Sequence, residues 1–316
     1  MRTRLLGVLV ALAFTPTLAS AGYVYFTDKD AARLHRVPMG GGEVETLLSG
    51  VNGLSDPRGV VLDPAAGTMY FADNLARKIR RANLDGSDVQ DVVTVAGAGL
   101  SDMAVDLAAG RIYWADNDGG GIYRADLSGA NVAAVRTGIV QPYFLTLDVA
   151  GGKVYWSDFN SGVIHRANLD GSGGVEDFVT GQSRVRDVVV DAAGGWIYWA
   201  DRNAARIARR NLVGTPVTQT LFDAADGLIR PHGLELDAAT GTLYWTDTDA
   251  RMVARGNADG SGTPQVLASS ADGLIGAWGI AIAVPEPAVA SPALLAAAWL
   301  VRRRRREPQP RSGGRR

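Results

Sequence analysis

Six times the chain writes an aromatic pair, then a small residue, then an aspartate. The copies are Tyr25-Phe26-Thr27-Asp28, Tyr70-Phe71-Ala72-Asp73, Tyr113-Trp114-Ala115-Asp116, Tyr155-Trp156-Ser157-Asp158, Tyr198-Trp199-Ala200-Asp201 and Tyr244-Trp245-Thr246-Asp247. Successive tyrosines lie 45, 43, 42, 43 and 46 residues apart. A period of about 40–45 residues, each unit holding several short strands, is what a propeller blade needs.

The period runs beyond the tetrad. Seven residues before each tyrosine from the second copy on stands Asp63, Asp106, Asp148, Asp191 or Asp237, and four residues after each of these a glycine. An aspartate that bonds its own turn, followed by a glycine free to take positive φ, is tight-turn chemistry between two strands. The segment before that turn alternates apolar residues, as in Val60 and Leu62 or Val188 and Val190, so one strand face enters a core. Eight residues past the tetrad aspartates come Arg36, Arg81, Arg124, Arg166, Arg209 and Arg255. Turn signals such as Asn83-Leu84-Asp85-Gly86-Ser87 follow, and a fourth β-rich run closes each unit.

The expected fold is all-β, a six-bladed β-propeller of four-stranded antiparallel blades. The first copy begins at its tetrad and lacks an inner strand, whereas Trp278-Gly279-Ile280-Ala281-Ile282-Ala283 is an inner strand with no tetrad after it. Joining that C-terminal strand to the N-terminal blade closes the ring and leaves no long sheet edge open.

The tetrad, the D-x-x-x-G turn, the I-x-R step and the N-L-D-G-S turn, all in register over residues 23 to 284, resemble the low-density lipoprotein receptor class B, or YWTD, repeat. Phe replaces Trp in the first two tetrads, and Ala or Ser replaces Thr in four of six. The resemblance implies the same six-bladed ring and a protein ligand on the face that carries the channel mouth.

The ends read as addresses. Arg2 and Arg4 precede an apolar run and the small-residue pattern Ala19-Ser20-Ala21, which marks residues 1–21 as a signal peptide and residues 22–284 as the exported body. Pro285-Glu286-Pro287 is followed by an apolar stretch, Ala288 to Val301, and by Arg302 through Arg306. Fourteen residues at about 1.5 Å each span roughly 21 Å, short of a ~30 Å hydrocarbon core. This end, residues 285–306, resembles the PEP-CTERM sorting signal of Gram-negative bacteria, which implies processing by a sorting protease of exosortase type and company with exopolysaccharide. A short permanent membrane anchor is the alternative. Residues 307–316 read as a disordered basic tail. The implied setting is the periplasm, outer envelope or extracellular matrix, with a membrane-associated precursor. The chain holds no cysteine, so disulfides and thiolate metal sites are excluded. Residues 22–284 carry 22 Lys and Arg against 31 Asp and Glu, a net charge of −9, which makes nucleic acid a poor partner.

The repeat supplies its own control. Residues present in every copy, the tetrad aspartates Asp28, Asp73, Asp116, Asp158, Asp201 and Asp247 and the six arginines, read as scaffold. A direct carboxylate–guanidinium pairing between them is the expected use. Function belongs where copies differ. Five residues before the turn aspartate, or at the equivalent place in the closing strand, stand Arg58, Ser101, Tyr143, Arg186, His232 and Trp278. These begin the inner strands, so they are expected to ring one mouth of the channel, with Phe159 from a neighbouring loop. Trp, Tyr and Arg are the residues that anchor interfaces.

The competing reading is a calcium-dependent lactonase or esterase working in the channel. Asp102, Asp187 and Glu235 depart from mostly small residues at inner-strand positions, and carboxylates suit a hard cation. No cofactor is otherwise expected. His35 and His165 share one repeat position and are expected to face solvent; His232 has no serine partner in an elbow motif. The reading that follows is a non-enzymatic binding module for a protein segment, such as an envelope protein, or an exopolysaccharide. A matrix protein with no discrete ligand is a third.

Overall fold

The computed structural model describes residues 22–95, 99–158 and 160–284. The expected signal peptide, the expected sorting motif with its apolar and arginine segments, the expected basic tail and Phe159 lie outside the described residues. Gly22–Val284 forms one unit of six four-stranded antiparallel sheets.

Each sheet is one blade. In blade 1 the inner strand is Ala277–Ala283, followed outward by Tyr23–Asp28, Arg33–Pro38 and Glu45–Leu48. Blades 2 to 6 begin with the inner strands Pro57–Asp63, Leu100–Asp106, Pro142–Asp148, Val185–Asp191 and Pro231–Asp237, each leading into its tetrad strand. The ring is closed by the C-terminal strand, with Tyr23 opposite Ala283 and Phe26 opposite Ile280.

The tetrad explains itself once the blades stack. Adjacent residues on a strand point to opposite faces, so the aromatic pair supplies one ring to each neighbouring blade interface. Tyr25 packs with Phe71, Tyr70 with Trp114, Tyr113 with Trp156, Tyr155 with Trp199, Tyr198 with Trp245, and Tyr244 with Phe26 in six separate clusters. The core is thus a cycle of inter-blade seams. An aromatic side chain that buries about 200 Å² contributes at most roughly 5 kcal/mol on area grounds, and each seam holds two.

Two expectations about the repeat need correction. Among the described residues no tetrad aspartate pairs with the arginine eight residues on. The register shows why: Asp28 faces Arg33 while Arg36 faces Tyr25, three residues further from the hairpin turn. The aspartates instead accept backbone N–H groups. Asp28 takes Ile275 and Gly276, Asp73 takes Ser55 and Asp56, Asp201 takes Ser183 and Arg184, and Asp247 takes Ile229 and Arg230, at 2.8–3.2 Å. Each clamps the linker that leads into its blade's inner strand. Asp116 and Asp158 hold amides of their own turn, Gly119 for one and Asn160 and Ser161 for the other.

His35 is the second correction. It is 3% exposed, stacks 5.2 Å from Phe26 and bonds the Thr46 hydroxyl at 3.0 Å, whereas His165, stacked likewise 5.5 Å from Trp156, is less covered and bonds Asp177 at 2.8 Å. Desolvation is the main cause that takes the His35 imidazole down to about 4.

Candidate functional site

Every inner strand breaks register at its second and third residues. The shift falls between Pro57 and Val60, Leu100 and Met103, Pro142 and Leu145, Val185 and Val188, Pro231 and Leu234, and opposite Phe26–Asp28 in the closing strand. A bulge re-aims side chains and ends regular pairing. The six variable residues stand at its first free position, so one backbone device repeated six times presents five kinds of side chain, arginine twice, to one end of the channel.

Five of those residues meet. His232 lies 3.7 Å from the Trp278 ring centre, and Tyr143 lies 6.5 Å from it edge-on. The Arg186 guanidinium sits 4.7 Å over Tyr143, while Arg58 and Lys29 approach the Trp278 ring at 5.9 and 5.2 Å. Arg58 also pairs with Asp56 at 3.2 Å. Phe144, at the third bulge position and passed over in the sequence, packs 5.1 Å from His232 and 5.3 Å from Tyr143. Its signal was available, because the other copies hold Gly or Asp there. Ser101 stays apart and donates to the Gly99 carbonyl.

The open ring of exposed groups expected from the sequence is a plug. Ser101, Tyr143, Arg186 and His232 are 1–3% exposed, and of the six only Arg58 and Trp278 stay partly exposed. Four cations crowd the centre. Burial first, then Arg186, Arg202, Arg58 and Lys29, hold His232 far below the usual histidine range. The neutral imidazole keeps one donor and one acceptor, and among the described residues neither ring nitrogen has a protein partner. Around it Arg58 Nε, Asn74 Oδ1, Asn117 Oδ1, Arg202 Nε, Thr248 Oγ1 and Trp278 Nε1 are also buried without a hydrogen bond. A buried polar group left so costs about 1–3 kcal/mol, and so many on one face point to a missing companion, water or ligand.

The rim differs in character. Val51, Leu75, Val140, Ile229 and Ile275 stand 50–94% exposed on the linkers and tetrad turns of this same end. Short 3-10 turns at Gly50–Asn52, Ala224–Asp226 and Ser270–Asp272 shape three of the linkers. A cleft of about 200 Å³ between blades 2 and 3 is lined by Arg58, Asn74, Leu75, Arg77, Gly99, Asn117 and Asp118.

The three channel carboxyls have a structural occupation. Asp102 accepts from Leu145 N–H of the next blade at 3.1 Å; Asp187 accepts from Val188 at 2.7 Å and from Leu234 of the next blade at 2.8 Å. Elsewhere the third tetrad residue does related work: Thr27 and Thr246 accept a bulge amide and donate to the next blade's Arg58 and Trp278 carbonyls. Blades 3 and 5 have Ala115 and Ala200 at that place, and they are the blades that carry Asp102 and Asp187. Glu235 accepts from Leu236 at 3.2 Å. Among the described residues no three His, Cys, Asp or Glu side chains are placed to hold a metal ion. Desolvation raises all three carboxyls, Asp102 and Glu235 to about 7 and Asp187 well above its ordinary value, and Asp102 adds to the shift of both others.

No protein-family model matches the chain, and no curated protein matches it. Among solved structures, a chain of the nidogen/laminin complex superposes with a TM-score of 0.74 at 20% identity, covering 84% of this chain and 100% of that one. At that identity the likeness shows the fold, and the fold is the six-bladed propeller that the tetrads spell out.

Proposed function

We propose that this chain is a non-enzymatic binding module that docks an apolar, acidic segment of another protein over the channel mouth. The observation that carries this reading is the gathering of buried, unpartnered polar atoms at that one end. Cationic and aromatic groups at the centre with exposed aliphatics at the rim match the anchors of protein interfaces. Lys29, Arg58, Arg186 and Arg202 around a neutral His232 favour carboxylates, although the body as a whole carries −9. One solved structure of this fold comes from a complex of two proteins, nidogen and laminin, which fits such a role.

In this reading the protein is exported, matures through its C-terminal signal, and works at the envelope or matrix of a Gram-negative bacterium on an envelope protein. Exopolysaccharide is the second ligand class, and the exposed aliphatic rim argues for protein first. Enzymatic use of the channel is not part of the proposal. A calcium titration with thermal unfolding checks that choice: a ligand that binds only the native state at a hundred times its Kd adds about 2.7 kcal/mol, and a saturable shift of that kind would revive the hydrolase.

The direct test is selection from a displayed random-peptide library on the immobilised chain. The expected winners combine Asp or Glu with large aliphatic residues, and lose at least ~30-fold in affinity on Trp278→Ala. Enrichment of basic peptides, or affinity indifferent to Trp278→Ala and Arg58→Ala, would overturn the reading.

A further inference from the structure

The recurring arginine provides an internal standard at the opposite end of the blades. In five copies it faces an acid or amide on the fourth strand: Arg36 opposite Glu45, Arg81 opposite Gln90, Arg166 opposite Glu176, Arg209 opposite Gln219, Arg255 opposite Gln265. All five pairs are hydrogen-bonded at 2.7–2.8 Å. Arg36 and Arg209 also reach across the seam to the turn carbonyls Leu84 and Ala258 of the next blade. They close the groove between blades there.

Blade 3 departs from this standard. The residue opposite Arg124 is Ala133, and among the described residues Arg124 makes no hydrogen bond or ion pair. Like Arg81, Arg166 and Arg255, it reaches no turn carbonyl of the next blade among the described residues. The seam between blades 3 and 4 instead opens into a groove of about 320 Å³, lined among others by Asp106, Arg111, Tyr113, Arg124, Asn168 and Asp170. Arg111 is likewise without a hydrogen bond or ion pair among the described residues. Both arginines are half-buried and therefore still reachable.

We propose that this groove binds a sugar acid, its carboxylate on Arg124 and Arg111 and its hydroxyls on the neighbouring acceptors. An arginine fork matches a carboxylate with two parallel hydrogen bonds and stays charged at any physiological pH. Asp106 and Asp170, whose Oδ1 atoms hold the Ala109 and Ser172 N–H groups, offer their second oxygens to hydroxyl donors, while Asn168 Oδ1 already accepts from Lys153 Nζ. The same two aspartates would repel a second negative charge, which selects a singly charged, hydroxyl-rich ligand over phosphate. The volume lies at the small end of ligand pockets, about 300–1,000 Å³, the size class of one sugar ring. This site is independent of the mouth, with no residue in common.

The experiment is calorimetric titration of the full chain with sodium glucuronate, glucose and inorganic phosphate at millimolar concentration. Glucuronate should saturate, and glucose and phosphate should bind at least tenfold more weakly. Ala133→Gln restores the partner that three other blades use, so it should keep or raise the melting temperature and cut glucuronate affinity at least tenfold. Arg124→Ala should do the same to affinity, and Trp278→Ala should leave it unchanged. No saturation by glucuronate, equal binding of glucose or phosphate, or full affinity in Ala133→Gln would overturn the proposal. If Arg124→Ala fails to fold, Ala133→Gln decides alone.

Discussion

The two ends of the same blades use the repeat in opposite ways. At the mouth the backbone is constant, a bulge in all six inner strands, and the side chains at Arg58, Ser101, Tyr143, Arg186, His232 and Trp278 are of five kinds. At the other end the side chain is constant, an arginine in every copy, and five partners are nearly alike. Six symmetric contacts suit a scaffold, whereas a ligand breaks symmetry. Specialisation therefore shows as side-chain diversity at one end and as a single exception, Ala133, at the other.

Substitutions at the mouth separate its plug from its surface. Tyr143→Ala removes a 3%-exposed ring wedged against Phe144, Trp278 and Arg186. It should cost about 3–5 kcal/mol in urea unfolding, and a loss below 1 would mean the plug is not packed. Asp247→Asn puts an amide against the Ile229, Arg230 and Ala250 N–H groups and should cost about 2 kcal/mol. Asp158→Asn, whose carboxylate holds only its own turn, should cost about half as much and leave mouth binding intact. Equal costs would remove the distinction between linker clamps and turn caps.

The pH response sets the channel against the seam of blade 1. Asp102 and Glu235 have folded-state values raised to about 7, above the ordinary carboxylate range near 4. Their contribution is therefore fully present below about pH 4 and is lost as pH rises through about 7. His35 is depressed to about 4 from 6.5. Its contribution is present above about pH 6.5 and lost as pH falls through about 4. Asp102→Asn should flatten the decline of melting temperature between pH 4 and 7, and His35→Phe should flatten the acid side. An unchanged profile in Asp102→Asn would show that this carboxyl is ionised in the folded protein. The smallest effect belongs to the exposed arginine pairs. Glu176→Gln, opposite Arg166 at 2.8 Å, should shift stability by less than about 1 kcal/mol.

The architecture was legible because the tetrad carries it: two adjacent rings demand two seams, and the spare strand at Trp278 demands closure. The mouth was legible in composition and misread in exposure. Period-two alternation has no term for a bulge, so the residues it turns inward, Tyr143 and His232 among them, read as surface. The aspartate–arginine spacing is constant in sequence, yet the hairpin register sets the two groups three residues apart along the strand pair. His35 looked exposed because it stands between Leu34 and the recurring Arg36; it is covered, stacked on Phe26 and bonded to Thr46, where His165 at the same repeat position stacks on Trp156 but bonds the exposed Asp177. The exception at Ala133 lay in plain view, but an alanine acquires meaning only after the other five partners are paired in space.

Amide hydrogen exchange with and without a peptide selected on the chain tests the central claim most directly. Docking over the mouth should protect the linkers 50–56, 224–230 and 270–276 and the bulge amides beside Trp278, and leave the turns at 83–87, 168–172 and 257–261 unchanged. Protection confined to those turns, or none at the linkers under saturating peptide, would contradict the account.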